Sequence, residues 1–79
     1  MSVTYYVALP FERTTEGELV PVEPLEAPSA ETAQRLALRF SLIKAGAVAF
    51  SRTGDPDIGE FEDAKVIAQY GEVPTDLSL

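Results

Sequence analysis

Five carboxylates crowd one short stretch of this chain: Asp55, Asp57, Glu60, Glu62 and Asp63. A hard cation such as calcium is bound by several carboxylate and carbonyl oxygens from a single loop, so this cluster is the first place to look for chemistry. Asp55-x-Asp57 matches the opening of an EF-hand loop. The pattern then departs, with Gly59 where a third ligand belongs, Glu60 where the glycine belongs, and Val66 where the bidentate glutamate belongs. A solvated turn at Asp55-Pro56-Asp57 is the reading the residues favour, and Asp55, Asp57, Glu60 and Glu62 remain the candidate metal ligands.

Catalytic groups are scarce. The chain contains neither histidine nor cysteine, which removes the commonest general base, the commonest zinc ligands and the thiolate nucleophile together. Ser51 beside Arg52, or Tyr70 with Lys65, supplies a hydroxyl and a cation, but neither spacing matches a catalytic motif and nothing can complete a triad. No glycine-rich loop links a strand to a helix N-terminus, so no phosphate cradle is expected. The sequence therefore predicts a protein that is not an enzyme and has no cofactor.

Thirteen acidic against six basic residues give a formal charge of -7. That charge opposes condensation on phosphate backbones and anionic lipid, so neither nucleic acid nor a membrane surface is an expected partner. The start, Met1-Ser2-Val3-Thr4-Tyr5-Tyr6, lacks the basic and apolar regions of a secretory signal, which predicts a soluble cytoplasmic protein. With 79 residues, of which 46% are hydrophobic, the chain reads as one globular domain over residues 1–72 with a flexible C-terminal tail over 73–79.

The elements that must position these groups follow from periodicity. Val3 to Phe11 alternates with a two-residue period, and Thr14 to Gly17 separates two short apolar arms that read as a hairpin. Pro21, Pro24 and Pro28 make an extended connector, with Pro21 on an edge strand. Ser29 is the expected N-cap of a helix carrying Ala33, Leu36, Ala37, Phe40 and Ile43 on its core face, and Gly46 is the expected left-handed C-terminal residue. Ala47 to Arg52 and Lys65 to Tyr70 read as two more strands around a loop from Thr53 to Gly59. The order ββαββ predicts an α+β fold with a four-stranded antiparallel or mixed sheet and its one helix packed on one face.

One helix covers only one side of such a sheet, and both sides are apolar here. Val3, Tyr5, Val7, Leu9, Val48, Phe50, Val66 and Tyr70 fall on one side, and Tyr6, Ala8, Ala47, Ala49 and Ile67 on the other. Because small residues let a second surface come close, Tyr6, Ala49 and Ile67 are taken as marking an open face for a homodimer or another protein partner. Leu38 and Leu42, flanked by Arg35 and Arg39, fall on the outer side of the helix and form a second candidate contact. The alternative is that the proline connector or the tail covers these leucines, or that Leu42 packs on Ala47. Together these features predict a small non-catalytic interaction module, the alternative being cation or small-ligand binding at the hairpin loop of residues 55–63.

The stretch from Gly46-Ala47-Val48-Ala49-Phe50 to Asp57-Ile58-Gly59-Glu60-Phe61, the ending Tyr70-Gly71-Glu72-Val73-Pro74, and Tyr5-Tyr6-Val7-Ala8-Leu9-Pro10-Phe11 at the start resemble a family of short uncharacterised bacterial proteins. The likeness covers about two-thirds of the chain. It implies a domain complete in itself, and it carries over no activity, cofactor or site residue.

Overall fold

The alternation that begins at Val3 runs further than the apolar residues suggest. In the computed structural model, which describes residues 1–75, it forms an eleven-residue strand, β1 (Val3–Arg13). A tight loop then turns the chain back. Thr14 N donates to Glu18 O (2.8 Å), and Gly17, at φ +86°, adopts the left-handed backbone that a residue with a Cβ rarely adopts. The return lane is broken into β2 (Leu19–Pro21) and β3 (Leu25–Ala27), both antiparallel to β1. The break lies opposite Leu9 and Pro10, where Val22 N donates to Pro10 O (3.0 Å) and a proline can stand in a strand without depriving a regular ladder.

After Pro28 the chain enters α1 (Ala30–Ile43). Ser29 is the N-cap as its type predicts: Thr32 N donates to its Oγ (3.2 Å), and that hydroxyl donates in turn to Thr32 Oγ1 (3.0 Å). The capping box stays half-made, because Thr32 Oγ1 meets the Ser29 hydroxyl and not the Ser29 backbone N–H that a Glu or Gln would reach. The C-terminal expectation needs correction. The helix ends at Lys44 in extended backbone, with Lys44 N donating to Phe40 O (2.7 Å), and Gly46 has no positive φ. Instead Ala45 N already donates to Phe11 O (3.0 Å), so pairing with β1 takes over from the helix within two residues.

β4 (Gly46–Asp55) then runs antiparallel beside β1 from Phe11↔Gly46 to Val3↔Gly54. It runs three residues past the expected end at Arg52, where Thr4 and Thr53 pair across the ladder and share a hydrogen bond between hydroxyls (2.8 Å). The last lane consists of β5 (Glu60–Phe61) and β6 (Lys65–Gly71), both antiparallel to β4, with a bulge in β6 next to the Ala49–Phe50 step. The sheet therefore has the four lanes and ββαββ-like order that the sequence predicts. Its outer lanes are each split in two, giving six strands in a fully antiparallel sheet.

α1 crosses one face of this sheet, against β1, β4 and β6. The contact is built from alanines: Ala33 and Ala37 on the helix meet Ala8, Ala27, Ala47 and Ala49 on the strands, with Tyr6, Leu36, Phe40, Ile67 and Tyr70 around them. Side chains this small allow the helix to sit close to the sheet. Ile43, expected on the core face, is 74% exposed instead, since the line of Ala33 and Ala37 continues through Phe40 to Lys44 and passes beside it.

Candidate functional site

Because strand residues alternate between faces, the alanines beneath α1 fix the direction of every other strand side chain. With Ala8, Ala47 and Ala49 toward the helix, the opposite face receives Val3, Tyr5, Val7, Leu9 and Phe11 from β1 and Val48, Phe50 and Arg52 from β4, with Val66 of β6 paired to Phe50. In β1 and β4 most of the larger apolar side chains, Tyr6 excepted, thus point away from the only helix among the described residues. Tyr5, Val7, Leu9 and Phe50 are half-buried, and Val3 and Val66 are exposed.

Two features close the ends of this face. At one end the ring of Phe61 lies over Gly54, where an added Cβ would also stand 2.5 Å from Glu60 O. That ring is tilted against Tyr5 with centroids 6.2 Å apart, and the Arg52 guanidinium stands 5.9 Å from its centre. At the other end the chain leaving β6 turns at Gly71 (φ +69°) and crosses the face above Gly46, so that a Cβ on Gly46 would overlap the Glu72 backbone. Glu72 N donates to Ala45 O (3.0 Å), and the Arg13 Nε of the same face donates to Glu72 Oε2 (3.1 Å). Phe11, opposite Gly46, and Val48, two residues along, are the most buried side chains of this face. Of the segment expected as a tail, Val73 and Pro74 are half-buried, and residues 76–79 lie outside the described residues.

No family model matches the chain, and neither curated proteins nor solved structures gave a match.

The sequence-derived contact residues sort differently from expectation. Tyr6, Ala49 and Ile67 do not mark the open face: they belong to the helix-covered side, and Ala49 is completely buried. The second surface those small residues admit is α1 itself. Leu38 and Leu42 are 46% and 77% exposed, uncovered by the proline connector. Arg35 donates from Nη2 to Glu31 Oε1 (2.9 Å), and Arg39 is exposed without an ion pair among the described residues. A shallow groove of about 320 Å³ between α1 and β6 brings Leu38 and Arg35 beside Tyr70.

The acidic hairpin places its carboxylates apart. Asp55 accepts from the Met1 ammonium through Oδ2 (3.0 Å) and from Asp57 N through Oδ1 (3.0 Å), while Glu60 and Glu62 occupy β5 and the residue after it. Among the described residues no three potential ligands converge on one point. Ser51 and Lys65 stand opposite each other across β4 and β6, with no hydrogen bond joining them among the described residues. The described residues include no helix long and apolar enough to cross a membrane.

Sequence reasoning missed Phe61 and Glu72, which bound the face. The available signal was glycine within a strand: Gly46 and Gly54 both mark places where another part of the chain approaches closely.

Proposed function

We propose that this domain is a non-catalytic protein-interaction module that self-associates through the sheet face opposite α1. One observation carries the reading: the helix is spent on alanines, while Tyr5, Val7, Leu9, Phe50 and Val66 are turned to the other side. A contiguous apolar surface of this kind is the usual mark of an interaction site.

Size and charge favour a second copy as the occupant. The molecule measures 42 × 23 × 18 Å, so its broad side is comparable with the roughly 800 Å² that each partner gives to a standard interface. The charged residues on that side include Arg13 and Arg52 balanced by Glu26 and Glu72, whereas the other acidic residues concentrate in the turns and at Asp55 to Asp63. Two such faces meet without the like-charge repulsion that a net charge of -7 would otherwise impose. A two-fold axis gives each copy the same contacts.

Sedimentation equilibrium tests the proposal. The mass rises with concentration in the native sequence, and Val66→Lys, at a position 45% exposed, returns it to monomer while leaving the melting curve unchanged at concentrations too dilute for the native protein to associate. A strictly monomeric protein up to millimolar concentration would refute it.

A further inference from the structure

We propose that residues 72–74 are a strap that competes with the docking partner for the sheet face opposite α1. This rests on the self-association reading above and concerns how that same surface is regulated.

The strap is placed by three observations. Gly46 belongs to the face opposite the alanines, and the Glu72 backbone occupies the space its Cβ would fill. Arg13, on the same side of β1, holds the Glu72 carboxylate at 3.1 Å. Phe11 and Val48, at 3% and 0% exposure, flank the crossing, while side chains further along the face are half-buried or exposed.

Geometry makes the strap a competitor. Two sheets pack face to face at about 10 Å, a gap filled by their interleaved side chains. A backbone segment lying on one sheet takes up about half of that spacing, so a second sheet cannot close over Phe11 and Val48 until the strap moves. Its polar tethers among the described residues are one hydrogen bond, from Glu72 N to Ala45 O, and an ion pair whose side chains are 46% and 59% exposed, and Val73 and Pro74 are only half-buried. Gly71, already in the left-handed region, supplies the residue about which the segment can swing.

The test uses the full chain and two variants. Gly46→Ala places a methyl group where the Glu72 backbone lies, at a position whose own φ is ordinary. Glu72→Gln removes the ion pair from the strap side and leaves Arg13, its hydrogen bond to Gly17 O and the rest of the sheet face as they are. Sedimentation equilibrium is expected to show self-association tightened by about 1.5- to 5-fold for Glu72→Gln, the range set by one exposed ion pair, and by more for Gly46→Ala. Binding of an apolar dye to the diluted monomer should rise in the same order. If the native chain associates but Glu72→Gln weakens or does not change that association, the strap proposal fails and the face reading stands. If neither the native chain nor either variant associates, both fail. Should Gly46→Ala not fold, as judged by its melting curve, Glu72→Gln decides alone.

Discussion

Ala8 and Ala49 stand directly opposite each other in the β1–β4 ladder, and both are completely buried beneath α1. Their methyl groups set how closely the helix lies on the sheet. Apart from Tyr6, the larger apolar side chains of the same strands are left on the other side.

Enlarging this contact is expected to cost stability. Ala49→Leu forces the extra side chain between the sheet and Ala33 or Ala37, and overpacking a filled core typically costs about 1–3 kcal/mol. In a domain of this size about 1 kcal/mol moves the melting temperature by about 4–8 °C. Thermal unfolding should show a loss of several degrees, and an unchanged Tm would mean that the helix does not rest on the alanines.

The N-cap can be tested separately. Ser29→Ala removes the acceptor for Thr32 N and the donor to Thr32 Oγ1, leaving a first-turn amide without its partner. The expected loss is about 0.5–2 kcal/mol by urea denaturation. Ser29→Asp should recover most of it, because a carboxylate still accepts from the amide and complements the positive end of the helix dipole.

Much of the fold was legible because it rests on local rules. The two-residue period of β1 and the Ser29 cap each express one physical preference that needs no tertiary information. The helix spacing marked Ala33, Leu36, Ala37 and Phe40 as core in the same way, and failed at Ile43 because periodicity does not say how wide a stripe the sheet covers. Gly46 misled for a related reason. A glycine after a helix and a glycine beneath a crossing chain look alike in sequence, and only the path of Glu72 separates them. The choice between the two sheet faces was also closed to the sequence, since both are apolar and packing volume, not polarity, decided which one the helix took. The same ambiguity put Tyr6, Ala49 and Ile67 on the wrong side of the candidate site.

Calcium is expected to leave the protein unchanged. Both oxygens of Asp55 already accept hydrogen bonds, and no three potential ligands converge among the described residues. A site with a dissociation constant of about 10 μM would contribute about 2.7 kcal/mol at hundredfold excess, which in a domain this small raises Tm by about 10 °C or more. A melting curve in 1 mM calcium that superimposes on the calcium-free curve is the predicted result, and a shift approaching that size would restore Asp55, Asp57, Glu60 and Glu62 as ligands.

The outer face of α1 offers the sharpest contrast with the sheet. Leu38 and Leu42 are 46% and 77% exposed and lie one helical turn apart, so each can become lysine without opening a cavity. Surface changes of this kind usually alter stability by no more than about 0.5 kcal/mol, and the double variant Leu38→Lys, Leu42→Lys should melt within a few degrees of the native protein. Self-association should persist in it, because the sheet face and α1 lie on opposite sides of the molecule. Parallel sedimentation of this variant and Val66→Lys separates the two surfaces. Loss of association in the helix variant, with Val66→Lys still associating, would move the contact to the groove of Leu38, Arg35 and Tyr70, where an amphipathic partner would meet leucines rimmed by a guanidinium.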